Sequence, residues 1–301
     1  MLNIRIFDDI NDPFLKAEWE RLEEESDVFP QSTYHWCSTW WKHLGGNRRL
    51  HVVMVLDERD RALAIAPVCI EKNAGIPVLR SFPIHFGDFY SFISSSSDAS
   101  NLIVDYFESN KAWFWVRMDQ VVESNELIHL LNERAYCSKR ITGSVLAAFD
   151  GLEWDDYLGK LSASFRRNVR NRQRKINAQF DVELVVYNDW KSFAPELEAM
   201  HSMHKKRWVD DNVPHKSEKE RLCWKEALKA EFDKEQAVYY QLLFSGHPVA
   251  YRLGFLKDGT YYDWHTSFDP EYQKYHVGQM SVAYMIRNFM QHGVSQINFM
   301  A

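Results

Sequence analysis

The hydrophobic pattern is clearest over residues 238–301. Apolar and polar positions alternate with a period near two through 238–244, 249–256 and 260–268. The runs are separated by Ser245-Gly246 and Asp258-Gly259, dipeptides that close tight hairpins. This spacing predicts three antiparallel strands. After Phe268 the period changes. A loop from Asp269 to Gln279 opens a helix with 3.6-residue periodicity that runs to about His292, and Gly293 is its natural stop. Residues 295–300 return as a strand. A meander that feeds a loop and a helix N-terminus is a ready anion site, because the first N–H groups of the helix have no partner within it and its dipole is positive there.

The remainder of the chain follows the same grammar. Residues 4–7 read as a strand, and 13–25 as an amphipathic helix with Phe14, Trp19 and Leu22 inward. Ser32-Thr33 can cap a helix over 34–44, ended by Gly45-Gly46, with Trp36, Trp40 and Leu44 on one stripe. Strands are predicted at 50–56, 62–71, 78–82, 89–93 and 112–118, and helices at 102–108 and 125–134. Long helices then follow at about 153–179, 190–209 and 217–233, around a strand at 182–187. The order helix, three strands, helix, strand in the first half is repeated in the second. The predicted organisation is two α+β units, 1–149 and 150–301, dividing at 148–151, where a strand gives way to a helix.

Composition narrows the function. Apolar residues make up 46% of the chain, enough for a substantial core, and 36 Lys+Arg stand against 42 Asp+Glu. The acidic balance argues against general nucleic-acid binding. Cys37, Cys69, Cys137 and Cys223 are scattered with no Cys-x-x-Cys pair, so no zinc ribbon or redox motif is legible, and a reducing cytoplasm is the expected compartment. The acidic N-terminus lacks the pattern of a secretory signal, and no apolar run reaches the ~18 residues of a membrane helix.

Two side-chain constellations carry candidate chemistry. The first is a basic helix in which Arg167, Arg170 and Arg174 recur at i, i+3, i+7, with Arg166, Arg172 and Lys175 nearby and no acid from Tyr157 to Phe180. Guanidinium groups on one face suit phosphate or carboxylate ligands, which could be cofactor phosphates, a lipid- or nucleotide-linked acceptor, or a tRNA end. The alternative is a solvated face that contacts nothing. The second is a strand face. With a two-residue turn at Asp258-Gly259, Arg252 stands opposite His265, and Gly254 opposite Asp263. Gln241, Arg252, Asp263 and His265 then share one face. His265 tuned by Asp263 is a candidate general base; the alternative is a hydrogen-bonded sheet face covered by a helix.

Smaller features are weighed the same way. His201 and His204 lie at i, i+3 on a predicted helix, but nothing nearby supplies a third ligand, so no metal is expected. His85-Phe86-Gly87-Asp88-Phe89-Tyr90 is either a structural turn or part of a cleft wall.

The run Tyr261-Tyr262-Asp263-Trp264-His265-Thr266-Ser267-Phe268-Asp269-Pro270-Glu271-Tyr272, followed by Tyr275 and Gly278, resembles the FemAB-like, CelD-type acetyltransferases of the GNAT fold, found in bacterial polysaccharide and cell-envelope loci. The hairpin Gly246-His247-Pro248-Val249-Ala250 and the helix ending in Arg287 to Gly293 fit as well. The resemblance implies tandem GNAT-like units, each a mostly antiparallel sheet flanked by helices, and acetyl-CoA or another acyl-CoA as co-substrate. The cofactor pyrophosphate is expected at Val277, Gly278, Gln279 and Met280, with Lys274 and His276 adding charge. It also implies direct transfer to an amine of a sugar or amino-acid-like precursor, free or carrier-linked, without a metal. Arg167, Arg170, Arg174, Gln241 and Arg252 are then substrate-binding candidates, and the segment from His204 to Trp208 a wall of the acceptor cleft. Against the family pattern, Asn298 stands where a strand Asp is expected, and the following turn and Tyr-Lys pair would lie past Ala301, so the chain reads as a fragment. A FemAB-type aminoacyl-tRNA-dependent transferase is the second reading, although no sustained heptads mark its helical arm. A non-catalytic binding module with the same fold is the third.

Overall fold

The computed structural model describes residues 2–26, 28–86, 89–121, 126–134, 136–140, 143–149, 151–208 and 217–300. The chain divides into two compact units, Met1–Ile141 with Ser217–Ala227, and Thr142–Lys216 with Leu228–Ala301. The fold is α+β, as the pattern predicts, with three sheets flanked by helices.

The first unit contains β1 (Asn3–Phe7), α1 (Pro13–Glu25), α2 (Tyr34–Leu44), β2 (Arg49–Leu50), β3 (Val52–Leu56), β4 (Ala62–Ala66), β5 (Val68–Asn73), β6 (Ile76–Ser81), β7 (Ile93–Ser94), α3 (Ser97–Ser109), β8 (Trp115–Arg117) and α4 (Glu126–Glu133). Its strands form two sheets, ordered β1-β3-β4-β7 and β2-β5-β6-β8. The two long strands expected at 50–56 and 62–71 are each broken in the middle. They leave one sheet for the other at His51 and at Pro67, whose missing N–H cannot continue a ladder. The strand expected at 89–93 is reduced to an isolated bridge at Tyr90 and the short β7. Helix starts follow local chemistry: Asp12 accepts from the amides of Phe14 and Leu15 at 2.8 and 3.0 Å, and Thr33 accepts from Trp36 at 3.3 Å. Phe86 is buried, and its carbonyl accepts from the Trp36 indole at 3.2 Å; Gly87 and Asp88 of that turn lie outside the described residues.

The second unit contains β9 (Leu146–Ala148), α5 (Trp154–Lys160), α6 (Ala163–Asn177), β10 (Val182–Tyr187), α7 (Trp190–Phe193), α8 (Leu197–Arg207), most of the sheet-forming C-terminal half and, with its N-terminal end in the first unit, α9 (Glu218–Asp233). The half continues as β11 (Ala237–Phe244), β12 (His247–Lys257), β13 (Thr260–Phe268), α10 (Val277–Gln291) and β14 (Gln296–Asn298). The sheet order is β10-β11-β12-β13-β14-β9, antiparallel except for the parallel pair β13/β14. The single helix expected over 153–179 is two helices. Ser162 accepts from the Phe165 amide at 3.3 Å and starts α6 afresh. Pro195 likewise divides the helix expected from residue 190, and Val209 lies outside the described residues.

The meander differs from its simplest register at two points: Leu243 pairs with Pro248 but Leu242 with Ala250, so Val249 is an extra residue on β12 that turns Gln241 away from the face of Arg252, and a second bulge lies on β13. Leu253 pairs with His265 and Gly254 with Asp263, so Trp264 is an extra residue with no partner on β12. A side chain at Gly254 would collide with the Tyr262 carbonyl and the Tyr261 ring, which is why glycine stands opposite the bulge. Side chains alternate across a strand, so one extra residue turns everything beyond it to the other face. The expected polar face is therefore split. Arg252 and Asp263 look toward α10, whereas Gln241 and His265 look toward α7 and α8.

Candidate functional site

The site is built around the first turn of α10. His276 precedes it in the left-handed conformation (φ 54°), and no side chain caps the helix. The carbonyl of His276 receives the amides of Gln279 and Met280, both at 3.0 Å. That leaves the Val277 and Gly278 amides without a helical acceptor, as at any helix start. Gly278 lies against the ring of Phe268, where a Cβ would sit 3.3 Å from the ring.

A buried polar clamp fixes this turn to the sheet. Arg252 donates from Nε to Ser281 Oγ at 3.1 Å and from NH2 to the Gly278 carbonyl at 3.1 Å, and Ser281 Oγ also donates to that carbonyl at 2.9 Å. The remaining guanidinium nitrogen pairs with Asp263 Oδ2. Arg252 and Asp263 are 7% and 6% exposed, so the pair is desolvated. Burial pushes the Asp263 carboxyl above the ordinary carboxylate range, and the Arg252 charge pulls it back. Asp263 Oδ1 has no partner among the described residues. The expectation that Asp263 tunes His265 is thereby corrected: the bulge at Trp264 sends the two side chains to opposite faces, and Asp263 serves Arg252.

His265 has different neighbours. Its Nδ1 lies 3.1 Å from the Tyr251 hydroxyl, and its ring is 4.5 Å from that of His204 on α8. Tyr251 is buried, and burial drives its hydroxyl well above its ordinary pKa, so it stays protonated. The contact admits two tautomers: where Nδ1–H donates to Tyr251 Oη, Nε2 is the acceptor nitrogen, and where the Tyr251 hydroxyl donates to Nδ1, Nε2 carries the proton. On the same face Gln241 donates to Glu196 at 3.0 Å and accepts from Tyr187 at 3.2 Å, which makes it part of the α7–α8 packing. His201 and His204 gain no ligand set: among the described residues no group of three or more His, Cys, Asp or Glu could hold a metal.

The basic stripe is also rearranged. Arg167, Arg170 and Arg174 are exposed, Arg170 pairs with Asp155 of α5 at 2.8 Å, and Arg174 bonds Asn171 on its own helix. The acidic partner absent from the helix itself is thus supplied by a neighbouring one. Arg172, not singled out by spacing, is the arginine that reaches α10, donating to Gln279. The signal was present: Arg172 lies three residues after Val169 and four before Ile176, the two buried residues of α6, so it shares their inward face. Arg207, at the end of α8, is a second cation here, its guanidinium 4.2 Å from the centre of the Phe268 ring. Lys274 is exposed and sits over Tyr275 at 5.1 Å.

Space for a ligand adjoins the helix start. β14 pairs with β13 only at Thr260, Tyr261 and Tyr262, and residues 263–268 of β13 run on beyond that pairing. A largely apolar cavity of about 340 Å³ follows α10 from Gln279 to Ile286, walled by Phe165 and Val169 of α6, Trp154 of α5 and Phe299 after β14.

Comparison with known proteins bears on the fold. Residues 163–301 match the family model described as Acetyltransferase (GNAT) domain, so the C-terminal half has the GNAT acyltransferase fold. The structure of FemX is similar over 95% of this chain and 87% of its own, with a TM-score of 0.64 and 11% identity. L-PGS from Bacillus licheniformis matches with a TM-score of 0.55 and 14% identity, covering 98% of this chain and 77% of that one. The C-terminal domain of a putative lysylphosphatidylglycerol synthetase from Agrobacterium fabrum matches with a TM-score of 0.56 and 10% identity, over 94% and 77%. At these identities the likeness is one of fold. No curated protein matches the sequence.

Proposed function

We propose that the protein is an acyl-CoA-dependent N-acyltransferase, with acetyl-CoA as the first donor to test, acting on an amine of a sugar or amino-acid-like precursor in polysaccharide or envelope synthesis. The observation that carries this reading is the first turn of α10, clamped by Arg252 and presenting two amides where β13 and β14 part. The residues fit a pyrophosphate there: Val277 and Gly278 offer N–H groups, Gly278 leaves room beside Phe268, and Gln279, Met280 and Lys274 complete the turn and its charge. Arg172 and Arg207 add fixed positive charge. Acyl-CoA would supply an acyl group activated as a thioester.

The work of the chain's own side chains follows. Arg252 and Asp263 position α10 rather than touch substrate. His265, oriented by Tyr251 as the Nδ1–H tautomer, takes the proton lost by the acceptor amine at Nε2. The amine nitrogen would form the new bond to the acyl carbon as the bond to sulfur breaks; sulfur would leave with the electron pair as a thiolate and take up a proton from solvent, while the amine proton rests on His265. Gln241 stays with the acceptor side through the α7–α8 face. Arg167, Arg170 and Arg174 offer an anionic acceptor an exposed, salt-screened attraction.

A second reading, aminoacyl transfer, draws on the name lysylphosphatidylglycerol synthetase carried by one structural neighbour. Calorimetric titration separates the two: acetyl-CoA should bind and charged tRNA should not. Failure of every acyl-CoA to bind would overturn the proposal: binding of charged tRNA instead would favour aminoacyl transfer, and binding of neither would leave a non-catalytic binding module as the reading.

A further inference from the structure

The first unit carries an exposed aromatic tip that its own core does not use. Phe114 is 77% exposed, Trp115 45% and Ile76 38%, in a fold that buries Trp19, Trp36 and Trp40 almost completely. The three belong to one place. β8 lies parallel to β6 at the edge of its sheet, and the Phe114 amide donates to the Pro77 carbonyl at 2.9 Å, beside Ile76 at the hairpin end. The Phe114 and Trp115 rings meet edge to face, 6.0 Å apart. Lys111, three residues before Phe114, is exposed.

A basic groove of about 690 Å³ adjoins this tip, sharing Pro77 and Ala112 with it. Arg48, Arg49 and Lys72 line the groove against one carboxylate, Glu71. Glu71 is already shared by Arg48 at 3.1 Å and Arg80 at 2.9 Å. Arg80 in turn shares Asp119 with Arg117, both at 2.9 Å. Arg49 and Lys72 make no ion pair among the described residues. The groove is therefore cationic within a chain whose net charge is −6.

Exposed Trp and Phe beside unpaired Arg and Lys form the combination that holds a protein at a bilayer surface: rings enter the headgroup boundary, and cations meet lipid phosphates. We infer that this face of the first unit docks on an anionic phospholipid membrane. Phe114, Trp115 and Ile76 enter the interface, and Arg49, Lys72 and Lys111 pair with phosphates. Crossing the bilayer is not involved: among the described residues no helix is long and apolar enough to do so.

Co-sedimentation of the full chain with phosphatidylcholine vesicles, with and without about one-third phosphatidylglycerol, tests this. Binding is expected to the anionic vesicles alone and to weaken as salt rises. The pair Phe114→Ser, Trp115→Ser should lower partitioning about tenfold or more, and so should Arg49→Glu with Lys72→Glu. All four side chains are exposed, so circular dichroism should be unchanged. Bromolipid quenching of tryptophan emission should diminish in Trp115→Phe. No association with anionic vesicles at low salt, or wild-type binding by both double variants, overturns the inference. A dimer that the Phe114/Trp115 variant dissolves, in a chain that ignores vesicles, also overturns it and assigns the face to a second copy.

Discussion

Arg252 is the residue on which the candidate site depends most. It bonds the sheet, Ser281 and the Gly278 carbonyl at once, and its charge is matched by a single buried carboxylate. Removing one member of such a pair leaves the other charged and desolvated, at a cost of ~3–5 kcal/mol. Arg252→Ala should therefore lower the unfolding free energy by about that amount, and Arg252→Met with Asp263→Leu should recover most of it. A double-mutant cycle by urea denaturation checks this; additive losses would mean the pair is not coupled. His265 makes a different prediction, because its proposed role is proton transfer from the acceptor amine. His265→Ala should reduce kcat by ~10²–10⁴ and flatten the acidic limb of the pH–rate profile, with a stability loss of about 1–3 kcal/mol from the hydroxyl of buried Tyr251 that it leaves without its partner. Full activity at every pH would pass the base's role to water or to the acceptor's own neutral amine. In the first unit, His51 stacks on Tyr106 and is pushed down to about 4, first by burial and then by Arg49. Its folded pKa lies below the unfolded value, so the unfolded chain binds the extra proton. The stability from keeping it neutral is present above about pH 6.5 and is lost as pH falls toward 4. Because the ring is only partly buried, the loss should not exceed about 1–2 kcal/mol after solvent screening. His51→Gln should flatten the apparent Tm over that window.

At the scale of elements, the junction of β13 and α10 is a bulged strand delivering a helix start to the end of a parallel pair. The helix is held from below by Arg252 and from the side by α6, through Arg172 to Gln279 and Tyr284 to Asn177, while Tyr275, just before it, donates to Gln179, just after α6. Gly278→Val crowds Phe268, where even one Cβ would be 3.3 Å away. It should raise KM for acetyl-CoA about tenfold with a much smaller change in kcat, since the loss is one of uniform binding. Steady-state kinetics over a range of acetyl-CoA concentrations checks the split. Most of these elements were legible in the sequence. The hairpin dipeptides at 245–246 and 258–259, the change of period after Phe268 and the Gly293 stop each correspond to an observed boundary within a few residues. What the one-dimensional pattern missed were breaks inside apparently continuous runs, at His51, Pro67, Ser162 and Pro195, where a strand changes sheet or a helix restarts.

For the whole molecule, ligand binding should register in one unit more than the other. Acetyl-CoA at 100 times its Kd should stabilise the folded state by ~2.7 kcal/mol. Hydrogen exchange should show the protection concentrated in the turn 276–281 and in β13, within the second unit. Protection spread evenly over both units would argue against a site at α10. The periodicity, the turn dipeptides and the composition determined the α+β class, the meander, the helix that follows it and the basic character of α6, because those follow from local backbone preference and from which faces must be buried. The tertiary structure alone decided which chemical groups meet. One extra residue at Trp264, admitted opposite Gly254, turned Asp263 toward Arg252 and His265 toward Tyr251 and His204. Packing of α6 through Val169 and Ile176 chose Arg172 over the exposed arginines as the one that reaches α10. A bulge and the rotation of a helix about its axis are settled by packing between segments distant in sequence, and a pattern of hydrophobic and polar positions records the faces of each segment without recording which faces are brought together.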